Sequence, residues 1–94
     1  MAYGRETAET IALQALAWLA GNEELLPVFM GASGIGGDDL RERAADAEFL
    51  ASVLDFILMD DAWVTGFCDA QGLPYEALIA VRQALPGGQQ IHWT

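Results

Sequence analysis

The sequence predicts an all-α fold: a compact bundle of five to six short helices, with a helix-turn-helix-like pair near the C-terminus. Three observations predict it. Apolar residues recur at helical spacing, most clearly as Leu50, Val53, Leu54, Ile57 and Leu58. Carboxylates gather where such segments begin: Glu6, Glu9, Glu23, Glu24, Asp38, Asp39, Asp46, Glu48, Asp60, Asp61 and Glu76 are eleven of the fourteen acids. A helix N-terminus leaves backbone N–H groups unpaired and carries partial positive charge, so acids there cap the chain and offset its dipole. Finally, Gly and Pro punctuate the boundaries, and no segment carries a strand-like alternation.

The first helix is expected over Thr7 to Ala20, capped by Thr7 or a neighbour and ended by Gly21 in a left-handed turn. Ile11, Leu13, Leu16, Trp18 and Leu19 give it a broad apolar face, which calls for more than one packing neighbour. Asn22 caps a short second helix, Glu23 to Met30, with Leu25, Leu26, Val28 and Phe29 available for the core. Pro27 lies too deep for an ideal first position and predicts a distorted start. Gly31 to Gly37, reading GASGIGG, is a loop, because four glycines in seven residues cost too much backbone entropy inside an element.

Asp38 or its neighbour opens a third helix through Ala45, with Arg41 and Arg43 at the favourable C-terminal end. Asp46 starts a fourth, Ala47 to Met59. Phe49 and Phe56 widen its stripe until Glu48, Ser52 and Asp55 remain as a polar edge, and this is the expected central helix. Asp60 or Asp61 caps a fifth helix to Gln71, with Trp63, Val64, Phe67 and Cys68 facing inward. Gly72 stops it. Pro74 takes the first position of a sixth helix that buries Tyr75, Leu78, Val81 and Leu85. The chain reads as one domain, 1–94, whose residues 85–94 form an extended C-terminal tail docked on the bundle.

Composition bounds function. Hydrophobic residues are 53% of the chain and the net charge is −10, with Arg5, Arg41, Arg43 and Arg82 the only basic side chains. Such a chain folds, yet its field repels nucleic-acid phosphates and anionic membranes, so a charged partner is expected to be basic. One cysteine, Cys68, fits a reducing compartment, and neither a signal peptide nor a membrane span is legible; the setting is read as cytoplasmic.

The motifs that could carry chemistry each have a plainer reading. The glycine run resembles a phosphate loop, but Asp38 and Asp39 follow it where a Walker pattern has Lys and Ser or Thr. Asp60 and Asp61, with Asp55 and Asp69 nearby, could hold Mg²⁺ or Ca²⁺, although neighbours on a helix face different ways and no EF-hand spacing appears. Cys68 and His92 are too few for a zinc site, and Asp69 leaves Cys68 without the electropositive surroundings of a reactive thiol. Phe67 to Ile79 has the outline of a helix-turn-helix, whose second helix offers only Glu76, Arg82 and Gln83 for recognition.

The stretches ETIALQALAWLAGNEELLPVF (Glu9 to Phe29), LDFILMDDAWV (Leu54 to Val64), FCDAQGLPYEA (Phe67 to Ala77) and ALPGGQQIHW (Ala84 to Trp93) resemble a family of short bacterial proteins, mainly alphaproteobacterial, the domain-of-unknown-function family 3572. LMDDAW and LPGG are the most specific parts. The resemblance implies an all-helical fold and a cytoplasmic setting; it carries over no activity, substrate, ligand or catalytic residue.

The functional expectation is a small acidic helical protein–protein interaction module without catalytic residues, cofactor or metal. Its partner-contact residues are Trp93, Ile91 and Tyr75: aromatic side chains concentrate at interface centres, and Ile91 adds apolar area beside Trp93 on the tail. A homodimer would also bury surplus apolar surface. The alternatives are a transcription-related helix-turn-helix protein and a carboxylate metal-binding protein.

Overall fold

Six helices follow one another in the computed structural model, which describes residues 3–85: α1 (Arg5–Ala20), α2 (Leu25–Ser33), α3 (Gly37–Arg43), α4 (Ala47–Leu58), α5 (Asp61–Gln71) and α6 (Ala77–Gln83). No strand occurs among the described residues. The all-α expectation is met, and the tail residues Ile91, His92 and Trp93, like Pro86 and the following glycines, lie outside the described residues.

α4 is the centre, and its sequence explains why. Phe49, Leu50, Ala51, Val53, Leu54, Phe56 and Ile57 are all buried, too wide a stripe for one neighbour, and the helix packs on α1, α5 and α6. α1 meets it through small residues. Ala8, Ala12 and Ala15 are completely buried beside Ile11, Leu16 and Leu19, a repeat of three and four that lets the backbones approach closely. The broad face expected for α1 is therefore narrower than predicted: Leu13 is 44% exposed, because the alanines occupy the contact stripe.

α2 joins through aromatic packing. Phe29 meets Phe49 and Phe56 edge-on, with ring centroids 6.0 and 5.2 Å apart, and Phe56 stacks on Trp63 of α5 at 4.8 Å. Each such contact is worth roughly 0.5–1.5 kcal/mol beyond the area it buries. Val28, expected in the core, faces outward. α3 adds Leu40 and, just past its end, Ala44 to the rim of the same core.

The helix ends divide the acids into two kinds. Asp46 caps α4 by accepting from Glu48 N–H at 3.0 Å, and Asp60 caps α5 by accepting from Ala62 N–H at 2.8 Å. Asn22 accepts from the N–H groups of Glu24 and Leu25, as its position before α2 predicts. Glu6, Asp38, Asp39, Glu48 and Asp61 instead sit in first turns, where charge opposes the dipole. Glu9 lies deeper and pairs with Arg5 at 3.2 Å.

Several boundaries differ from expectation, each for a local reason. Gly4, not Thr7, precedes α1 in extended backbone, and Thr7 lies within the helix. Gly21 keeps right-handed angles, since Asn22 N–H closes onto Leu19 O at 3.0 Å and the next cap begins at once. α2 starts late enough to place Pro27 in its first turn, where a missing N–H leaves no helical hydrogen bond unmade. It then absorbs Gly31 and ends at Gly34, whose φ of 75° is left-handed, so the glycine loop shortens to 34–36. α6 begins at Ala77 rather than Pro74, because Pro74 to Glu76 form a turn in which Ala77 N–H reaches Pro74 O.

Candidate functional site

Tyr75 is the one predicted contact residue within the described residues, and it is half exposed instead of buried in α6. The turn before α6 carries its ring away from the core, and its hydroxyl donates to Asp69 Oδ1 on α5 at 2.9 Å. That bond, and the charge of Asp69, push the Tyr75 hydroxyl above its ordinary pKa. One turn further, Ile79 is 54% exposed, since Leu78 and Val81 take the inward stripe of α6.

Between these residues lies a shallow apolar hollow of about 280 Å³, lined by Leu58, Asp61, Val64, Tyr75, Glu76 and Ile79. The end of α4 supplies Leu58, α5 supplies Asp61 and Val64, and α6 with its leading turn supplies the rest. A second hollow, with Glu76, Ile79, Ala80 and Gln83 as its described lining, shares Glu76 and Ile79 with the first. The floor is apolar, the rim carries Asp61 and Glu76, and none of the described lining residues is basic. Arg82, on the same helix, extends to Asp55 at 2.7 Å instead.

Two other hollows differ in charge. One between α1 and α3 includes Leu13, Leu40 and Arg41, so its rim is basic. The other, between α2 and α4, is lined by Phe29, Phe56 and Met59 with Asp55, whose carboxylate already holds Arg82.

The remaining chemistry-bearing residues stay apart. Cys68 is fully buried, and burial first, then the charges of Asp69 and Glu76, raise its thiol pKa, the reverse of what a nucleophile needs. Asp60 is committed to its cap. Among the described residues no group of three or more His, Cys, Asp or Glu is placed to hold a metal ion, and no polar or charged residue is buried. The outward side of α6 presents Glu76, Ile79 and Gln83, a poor set for reading DNA bases. No helix among the described residues is long and apolar enough to cross a membrane.

Sequence reasoning passed over Ile79 and Leu58. A signal was available for Ile79: it follows Leu78 directly, so a helix that turns Leu78 inward leaves Ile79 an apolar residue off the stripe. Leu58 belongs to the predicted stripe of α4, and only the approach of α6 makes it the floor of a surface hollow.

Fold and site together define an acidic all-α helical bundle with an apolar surface groove and no assembled catalytic cluster among the described residues. The family described as Protein of unknown function (DUF3572) matches residues 5–88, and the chain belongs to it. Neither the curated proteins nor the solved structures compared with the chain give a match.

Proposed function

We propose that this chain is a small acidic helical module that binds another protein and performs no catalysis, in a cytoplasmic setting. The observation that carries the reading is the groove along α6. Tyr75 and Ile79 stand about half exposed beside a hollow floored by half-buried Leu58 and buried Val64, so that the apolar surface folding leaves uncovered is chiefly that of Tyr75 and Ile79. Binding sites for catalysis combine such concavity with converging polar groups, whereas here they lie on the rim: Asp61 in the first turn of α5, Glu76 at the start of α6, and the Tyr75 hydroxyl bonded to Asp69. A cysteine kept neutral by burial is in keeping with a structural thiol in a reducing compartment.

The test is affinity capture on the purified protein, followed by reconstitution of the captured pair from purified components and calorimetry. A saturable one-to-one or two-to-two complex is the expected result. Recovery of nothing that reconstitutes as a binary complex removes the reading.

A further inference from the structure

Resting on the interaction-module reading, we propose that the groove of Leu58, Val64, Tyr75 and Ile79 receives a cationic amphipathic helix of a partner protein, with its aliphatic side chains on that floor and its Arg or Lys side chains against Asp61 and Glu76.

Shape argues for a helix. The two hollows share Glu76 and Ile79 and so adjoin along α6, where the stretch from Glu76 to Gln83 is about two helical turns, roughly 10 Å. Aliphatic anchors spaced i, i+3 or i+4, and i+7 on a partner helix match that length. The described residues contain no sheet edge that an extended segment could join.

Charge selects the occupant. Asp61 and Glu76 flank the trough, Asp69 holds Tyr75 from behind, and the chain as a whole carries −10. A second copy of the chain is disfavoured on this face, because a two-fold contact would bring Asp61 and Glu76 towards their own equivalents. The chain's own tail, residues 86–94, contains no Lys or Arg, and its one titratable base, His92, could answer at most one of the two carboxylates. The α1–α3 hollow is a weaker site for a cationic helix, since Arg41 stands on its rim.

The experiment titrates ¹⁵N-labelled protein with a synthetic amphipathic peptide of about 16 residues, long enough to present two or more helical turns, with leucines on one face and Lys and Arg flanking them. A twin peptide carries Glu in place of the basic residues. The expected result is amide shifts concentrated at Leu58 and from Tyr75 to Ile79, an affinity that weakens as salt is raised, and no such shifts with the Glu twin. Ile79→Glu should weaken binding at least about tenfold, and Asp61→Asn with Glu76→Gln by several-fold with a flatter salt dependence. Both variants change exposed side chains, and a single cooperative melting transition within a few degrees of the original verifies that they fold.

Absence of shifts at about 1 mM peptide in low salt overturns the inference, as do shifts centred on Leu13 and Leu40 or equal binding of the Glu twin. The same amides shifting on simple dilution would assign the groove to a second copy, and their shifting in Trp93→Ala alone would assign it to the tail; either result overturns the inference. A reconstituted partner that binds Ile79→Glu as tightly as the original leaves the module reading standing and removes this one.

Discussion

Arg82 and Asp55 join α6 to α4 by two parallel hydrogen bonds across 27 residues of sequence, Nε to Oδ1 at 2.7 Å and Nη2 to Oδ2 at 3.1 Å. The guanidinium is mostly covered and the carboxylate mostly open, so one end of the pair is held by packing while the other is screened by water. The pair reinforces the orientation of α6 that burial of Leu78 and Val81 sets, which leaves Ile79 on the outer side.

Asp55→Asn should therefore lower stability by about 0.5–1 kcal/mol, the range of an exposed pair with good geometry, and Arg82→Met by somewhat more because covered alkyl contacts are also disturbed. In a domain of this size a loss of about 0.5–1 kcal/mol corresponds to a fall of roughly 2–8 °C in melting temperature. A double-mutant cycle measured by urea denaturation at low and high salt checks it; a coupling that salt leaves unchanged would show that packing, not charge, holds the pair.

The two kinds of helix-start acid separate in a mutant series. Asp46→Ala and Asp60→Ala each remove an acceptor from a backbone N–H and should cost about 1 kcal/mol. Asp38→Ala and Asp39→Ala remove only a dipole contact in a short, exposed helix and should cost about 0.3–0.5 kcal/mol, less as salt rises. Equal losses in all four, measured by chemical denaturation, would contradict this division.

Cys68 links stability to pH. The folded state binds the thiol proton more tightly than the unfolded chain does, so its contribution is complete below the ordinary pKa of 9.0 and is lost as pH rises through the higher folded value. Tyr75 shifts in the same direction from 10.0 and adds to the loss at still higher pH. Urea midpoints should therefore decline above about pH 9, and Cys68→Ala should flatten the first part of that decline while lowering stability at neutral pH by about 1 kcal/mol. Alkylation of Cys68 in the folded protein should proceed only through opening of the bundle, and rapid labelling in native buffer would contradict its burial.

Gly66 and Trp18 mark how closely α5 approaches α1. A Cβ at Gly66 would lie 3.3 Å from Trp18 Cζ2, and the same indole meets Phe67 edge-on at 5.8 Å. Trp18 is half-buried and can yield a few tenths of an ångström, so Gly66→Ala should be near neutral, its helix-propensity gain of about 1 kcal/mol offsetting the displacement. Gly66→Leu cannot be accommodated in that way and should cost about 1–3 kcal/mol with a change in Trp18 fluorescence. Loss of stability in Gly66→Ala comparable to that in Gly66→Leu would mean that the indole is rigidly held.

What could be read directly from residue order was local. Asn22, Asp46 and Asp60 announce their caps, because the hydrogen bonds they accept lie within three residues. The stripe of α4 was equally plain, since its period is a property of one helix alone. Less legible were the ends that depend on neighbours: whether Gly21 or Gly34 takes the left-handed angle, whether Gly31 belongs to a loop or to α2, and where α6 begins after Pro74. Glycine tolerates both states, and only the path to the next packed residue chooses between them.

The same boundary runs through the candidate site. Helix type, acidity and the scarcity of nucleophiles follow from the sequence by itself, because they are set by composition and by contacts a few residues apart. The exposure of Tyr75 and Ile79, the floor supplied by Leu58 and Val64, and the closeness of Asp61 and Glu76 were decided only in the tertiary structure. Side chains from α4, α5 and α6 form that groove together, and no single helix's period specifies which of its apolar residues its neighbours will leave uncovered.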